Sequence, residues 1–253
     1  MVFEKLETIT EVDVQYTTRS CLAIHAGKSA GYSIVDQPIM KIGGVPVIPG
    51  SSIKGALRST TESIMSESGI DVCIPGASIP KTVEQRGQSR DYAKGLGRLP
   101  PCDYSRDNTC CPVCDLFGAA SLSGRAMFLD ARPESEIVPI KRTHVAIRRD
   151  TNAQSDGSLM ELEAVDEGEV FLGTIRIVNA EDWQIGAILR ALEVLKLIGI
   201  GAKKTAGYGE IDATVKKITQ NTFENGERAT EDKTSSAEDY MKAFEKKLSK
   251  NES

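Results

Sequence analysis

Residues 31–59 read GYSIVDQPIMKIGGVPVIPGSSIKGALRS, and the order of residue types in that run organises everything around it. Pro49 and Gly50 stop an apolar strand carrying Val45, Val47 and Ile48, since neither residue suits a strand interior. Ser51 or Ser52 then caps a helix whose apolar positions are Ile53, Leu57 and Ile64. A helix start of this kind suits an anion. Its free N–H groups and the positive end of its dipole lie beside two serine hydroxyls and Lys54, with Arg58 one turn further on, which is chemistry fitted to phosphate. Asp36 is the one carboxylate of the run. An ordinary loop feeding a capped helix is the plainer reading of the same residues.

Upstream, TEVDVQY at 10–16 alternates, with Val12, Val14 and Tyr16 on one side, as a half-buried strand does. Leu22 and Ile24 continue an extended stretch into a Gly and Ser loop, AGKSAG, that leads to Asp36. Downstream of the helix, residues 69–118 hold Cys73, Cys102, Cys110, Cys111 and Cys114, five of the six cysteines, and little regular pattern. So long an irregular section reads as an insertion, and a metal is a natural way to hold one together. The CPVC run at 111–114 has the spacing that lets two thiolates share a tetrahedral ion. Cys102 and Cys73 would complete four sulfur ligands for zinc, with Cys110 a spare or a substitute.

Beyond the cysteines, RAMFLD at 125–130 is a short strand. Residues 137–165 form a basic hairpin that carries Lys141, Arg142, Arg148 and Arg149 on its outward limb. EVFLGTIRIV at 169–178 is a strand, and Asn179 or Glu181 introduces a core helix with Trp183, Ile188, Leu192 and Leu195 at helical spacing. Four glycines (Gly199, Gly201, Gly207, Gly209) then surround Lys203 and Lys204 on a loop that suits phosphate. A last strand is expected over 210–217, and the polar tail from 219 is expected to be a linker followed by an amphipathic helix at 236–248.

A chain of 253 residues with 40% apolar content can bury a sizeable core. No run of eighteen apolar residues occurs and the N-terminus lacks signal-peptide order, so a cytoplasmic protein with no membrane span is expected, and with it reduced thiols. A net charge of −5 argues at first against a polyanion partner. The distribution reverses that. Segments 41–59 (Lys41, Lys54, Arg58), 137–149 and 196–209 (Lys196, Lys203, Lys204) contain no acid and carry +3, +4 and +3, leaving −15 on the rest. A localised polyanion groove on an acidic body is implied.

The order strand, helix, strand, then strand, helix, strand suggests an α+β, ferredoxin-like (RRM-like) fold with long insertions. Three stretches, VDQPIMKIGGVPVIPGSSIKGALRS at 35–59, CPVCDLFGAASLSGRAMFLDA at 111–131 and GIGAKKTAGYGEI at 199–211, together resemble the RAMP-superfamily backbone subunit of type III CRISPR effector complexes. The resemblance spans roughly residues 10–215. It implies a palm domain over 1–218, with a zinc-bound insertion at 69–118 and a thumb hairpin at 137–165, followed by 219–253 as linker and terminal helix. It also implies that Lys41, Ser51, Ser52, Lys54, Arg58, Arg142, Arg148, Arg149, Lys203, Lys204 and Gly207 contact RNA. Cys73, Cys102, Cys111 and Cys114 would hold Zn2+, and Asp36 would cut target RNA with a divalent ion such as Mg2+. The partners implied are a guide RNA, a target RNA, other effector subunits and copies or paralogues of the chain along the guide. The sequence departs from the commoner family pattern at Met40 and Lys41, and in a loop at 26–30 that is less glycine-rich.

Three activities compete for this sequence. A metal-dependent endoribonuclease would use Asp36, whereas an inert structural subunit would bind the guide and leave cutting to another chain. A guide-processing nuclease would need histidine as general acid or base, and only His25 and His144 exist.

Overall fold

The computed structural model describes residues 5–26, 35–73, 101–119, 121–155 and 157–249. Most of the Gly and Ser loop before Asp36, and residues 74–100 of the expected insertion, lie outside them.

The central strand β1 (Thr8–Thr18) buries every second residue, from Thr10 through Val12, Val14 and Tyr16 to Thr18. Period-two burial of this kind makes one face of a sheet apolar and leaves the other to solvent. On the solvent face Arg176 bonds Glu11 at 2.6 Å and Thr174 bonds Asp13 at 2.7 Å. β1 pairs antiparallel on one side with β8 (Val170–Val178) and on the other with β9 (Ile211–Glu224). β4 (Ala126–Phe128) and β5 (Arg132–Pro133) extend the sheet beyond β8, and β10 (Glu227–Asp232) extends it beyond β9, for an order β10-β9-β1-β8-β4. The architecture is mixed α+β with antiparallel sheets.

Helices α1 (Gly50–Glu67) and α4 (Asp182–Ile198) share one core with the buried side of the sheet, through Ile53, Leu57 and Met65 on α1 and Ile185, Ile188, Leu192 and Leu195 on α4. α4 starts at Glu181, whose side chain forms a capping box with Gln184. α1 starts differently from the expectation. Neither Ser51 nor Ser52 caps it; both fall inside the first turn, and Pro49 at the cap position makes no side-chain bond. The carboxylate of Asp130, just past β4, accepts the Gly50 N–H at 2.8 Å. A Cβ on Gly50 would sit 2.0 Å from the Phe128 carbonyl oxygen, so only glycine lets the helix head approach the strand this closely. Ile48 and Ala131 exchange backbone bonds at 3.0 and 2.9 Å and fix the same junction. Just before it, β2 (Lys41–Ile42) and β3 (Val45–Pro46) form a small hairpin.

The described part of the cysteine-rich section folds into two short helices, α2 (Tyr104–Asp107) and α3 (Pro112–Phe117). α3 is no satellite. Val113, Leu116 and Phe117 belong to the main core, and Phe117 stacks on Phe128 at 5.8 Å. The basic hairpin is present as β6 (Ile140–His144) and β7 (Met160–Ala164) in a separate two-stranded sheet.

The tail departs from the linker expected at 219. β9 runs to Glu224, turns at Asn225 and Gly226 (φ 51° and 85°) and returns as β10. Two central residues with positive φ, Asn then Gly, are the pairing that matches the twist of a two-residue hairpin. The segment looks like a linker in sequence because β10 is exposed throughout; buried Asn221 is the hub that binds it, accepting bonds from Arg228 and Thr230 at 2.7 to 2.9 Å. The chain then enters α5 (Ala237–Ser249), which buries Tyr240 and Phe244 against α4. Among the described residues no helix is long and apolar enough to cross a membrane.

Candidate metal centre and nucleic-acid interface

Cys111 takes the cap position of α3 and Cys114 its first turn, with Pro112 between them pre-set for the first helical position. That geometry turns both thiols to one side. Cys73 and Cys102 complete the group, and the four sulfurs lie within 4.8 Å of one another. Tetrahedral zinc, with bonds of about 2.3 Å, needs sulfurs about 3.8 Å apart. The four cysteines could therefore hold a metal ion such as zinc. The Cys73–Cys114 pair, at 3.3 Å, is too far apart for a disulfide. Hydrogen bonds from the Cys102, Cys114 and Cys73 thiols hold Cys111 far below the ordinary thiol value, while bonds to Cys102 and Cys111 push Cys114 up. Four sulfurs this close repel one another once ionised, and a cation is what would allow all four to ionise together. Cys110 stands outside the group, its thiol pushed up to about 11 by burial and by Asp115. Of the two adjacent cysteines, the group takes Cys111.

Arg58 faces this centre. The sequence reading places it beside Lys54 on a phosphate grip, yet its Nε bonds Glu62 at 2.8 Å, one terminal nitrogen donates to the Gly118 carbonyl at 2.7 Å, and the other donates to Cys114 Sγ at 3.3 Å. Burial works against its charge, but the bonds to Glu62 and Cys114 hold its pKa above the ordinary value. A second tie comes from Asp115, which accepts from Arg125 at 2.8 Å and from Gln184 on α4 at 2.7 Å.

Residues 21–26 join three of the segments that carry residues expected to meet RNA. Leu22 exchanges two 2.8 Å backbone bonds with Val165 at the root of the β6-β7 arm. Ala23 accepts from Ala202 and Cys21 from Gly209, which brings in the glycine-rich loop. Ile24 accepts from Met40, and Ala26 donates to Pro38, which brings in the segment that follows Asp36. That segment lies along the arm: Gln37 bridges Leu162 in parallel, and Asp36 Oδ2 accepts the Glu161 N–H at 2.8 Å. Asp36 is exposed. Lys41 is ion-paired to Glu163 at 3.0 Å, and Glu163 also accepts the Ile39 N–H at 3.2 Å.

On the glycine-rich loop Lys203 has φ 57°, Lys204 opens a single 3-10 turn, and Gly207 closes it at φ 83°. Tyr208 on this loop meets His144 of the arm at 3.0 Å. Arg142 reaches Cys21 Sγ at 3.3 Å. Arg148 pairs with Asp150 at 2.7 Å near the arm's tip, and Arg149 is exposed beside it. Ser51 is exposed, and Ser52 and Lys54 are partly so. Among the described residues no ion pair engages Lys54, Arg149, Lys203 or Lys204. Among the described residues neither histidine has an acid or base partner suited to catalysis: His144 is held by Tyr208, and burial, reinforced by Lys203, holds the His25 pKa below its ordinary value.

Asp130, Glu163, Cys21 and Tyr208 do not stand out in the sequence reading. Each acts through a partner 64 to 145 residues away along the chain, so local spacing carries no sign of them.

The RAMP superfamily profile matches residues 22–212, well over half of the chain. The chain belongs to the RAMP superfamily. Members of this superfamily typically work with RNA in CRISPR complexes, and membership is consistent with a CRISPR-associated protein. The matched range takes in α1, the cysteine centre, the arm, α4 and the glycine-rich loop of this RAMP chain, while β1, β10 and α5 lie outside it. A search of curated proteins returned no match.

Proposed function

We propose that this RAMP protein is a backbone subunit of a type III CRISPR ribonucleoprotein, binding guide RNA in the cytoplasm beside other effector subunits and copies of itself, and cutting complementary target RNA at Asp36. The chain order β1-α1-β4-β8-α4-β9, with strands laid out as β9-β1-β8-β4, supports reading the core as a ferredoxin-like palm. The β6-β7 arm would be the thumb. Its exposed apolar side chains, Val145, Ile147 and Leu159, sit among the basic ones and suit contact with bases parted from their stack. Ser51, Ser52, Lys54, Lys203, Lys204 and the backbone at Gly207 would take guide phosphates, and Arg142, Arg148 and Arg149 would meet RNA along the arm. The four cysteines would hold structural Zn2+.

One observation carries the catalytic reading: an exposed carboxylate is fixed to the arm by a 2.8 Å bond from Glu161 N–H, leaving Oδ1 without a protein partner among the described residues. A nucleotide turned out by the arm would present its phosphate there with the 2′-hydroxyl in line, and attack on that phosphate leaves a cyclic phosphate and a 5′-hydroxyl. A divalent ion such as Mg2+ would stabilise the charge that develops on the phosphate. Among the described residues only the cysteines gather three or more ligands, so Asp36 would share such an ion with RNA oxygens. The same Glu161 bond also suits a purely structural aspartate in an inert backbone subunit.

The deciding experiment uses complexes reconstituted with guide RNA and end-labelled target. Asp36→Asn keeps an oxygen for Glu161 N–H while removing the charge; Asp36→Ala removes both. Both substitutions should leave assembly intact and slow cleavage by about a hundredfold or more, since interactions made in the transition state are worth about 3 kcal/mol each. A cleavage ladder unchanged in both variants would make Asp36 structural.

A further inference from the structure

We infer that Arg58 is a positioning residue of the metal centre, not a phosphate ligand: its guanidinium clamps Cys114 Sγ and the Gly118 carbonyl to α1, so that metal retention and the seating of the cysteine knuckle are a single event. The inference rests on the reading of the cysteines as a zinc site. The Arg58 side chain is 16% exposed and Glu62 is 8% exposed, which leaves little of either for a large polyanion. Three of its bonds radiate from one planar group and run to three segments: α1 itself through Glu62, the first turn of α3 through Cys114, and the residue after α3 through Gly118. A fork with fixed angles can do this, whereas the ammonium of a lysine cannot span the set.

The charge balance points the same way. Four thiolates around a divalent ion make a dianion, which is costly to bury without compensation. Hydrogen bonds to the sulfurs lower that cost. Among the described residues such bonds include Cys111 N–H to Cys102 Sγ at 3.3 Å and Arg58 to Cys114 Sγ at 3.3 Å. Of these only Arg58 brings a positive charge. Its bond to Gly118 fixes the exit of α3, where a Cβ on Gly118 would meet the Gly124 nitrogen at 2.8 Å, so the knuckle has little room to settle elsewhere. Glu62 then acts from the far side, as an acceptor that orients the fork.

The test is made on the full chain, purified without added metal. Elemental analysis of wild type should find about one zinc per chain, and transfer to a colour-forming chelator should be slow. Arg58→Gln and Arg58→Lys should both speed that transfer about 10- to 100-fold, the range typical when a metal ligand is deprived of its hydrogen-bond partner. Lys54→Gln should leave it unchanged. In titrations with single-stranded RNA the order should invert: Lys54→Gln lowers the salt dependence by about 0.7 of a logarithmic unit for each phosphate no longer neutralised, while the equally charge-removing Arg58→Gln leaves it as in wild type. Should Arg58→Gln fail to fold, Arg58→Lys with cobalt in place of zinc gives the same answer, through a shift of the cobalt absorption bands. Wild-type zinc release and cobalt spectrum in Arg58→Lys overturn the positioning role while the metal site stands. Wild-type protein with less than a tenth of an equivalent of zinc overturns both readings.

Discussion

Asp130 stands at the head of α1, where it meets the first free N–H of the helix and its positive dipole end with a carboxylate 80 residues away in sequence. Because that donor is already engaged, RNA phosphates would meet Ser51 and Ser52 and not Gly50. Asp130→Ala should lower stability by about 1 kcal/mol, the usual worth of a helix cap, seen as a lower urea midpoint at unchanged slope. Ser51→Ala, on an exposed and uncapped position, should stay within about 0.5 kcal/mol. Equal midpoints for the Asp130 variant and wild type would remove it as the cap. At this scale the cysteines are legible, since a two-residue spacing beside a proline is itself the local geometry of a metal knuckle. Arg58, Asp130 and Glu163 are not, because their chemistry is set by groups that only folding brings near.

The clearest case among the elements is α5, whose apolar stripe announces a docked face without naming the surface it docks on. That surface is α4 at Gly186, where a Cβ would lie 1.9 Å from the Tyr240 carbonyl oxygen. Phe244 is fully buried in the same seam. Phe244→Ala should cost about 3 to 5 kcal/mol, and Gly186→Val should lift the helix away. Hydrogen exchange resolved over 237–249 should show both variants losing protection there before α1 does; protection equal to wild type would mean that α5 is held by other means. β1, α1, β8 and α4 are legible from periodicity, and the arm from its basic limb and polar turn. The β9-β10 hairpin escapes the sequence reading although Asn225-Gly226 announces it, because six exposed residues in β10 carry no apolar alternation.

Across the whole molecule, a net charge of −5 hides basic segments, and residues 21–26 join the root of the arm, the glycine-rich loop and the segment leading to Lys41. The free chain should bind single-stranded RNA of any sequence with steep salt dependence. The double variant Lys203→Gln, Lys204→Gln should flatten that dependence by up to about 1.4 logarithmic units, at roughly 0.7 per phosphate, and weaken all sequences alike. Identical titrations of variant and wild type from low to moderate salt would exclude the loop from the interface. The superfamily profile takes in these segments and much of the buried core on α1, β8 and α4, but stops short of β1, the strand at the middle of the sheet. The segment behind Asp36 has a mechanical consequence of its own. Gln37 bridges Leu162 of the arm, and the arm is tied to the body at Leu22 and Val165. Because Asp36 is bonded to Glu161 of the arm at 2.8 Å, an Asp36 that cuts RNA, as proposed above, would have its point of attack set by where the arm rests on the nucleic acid.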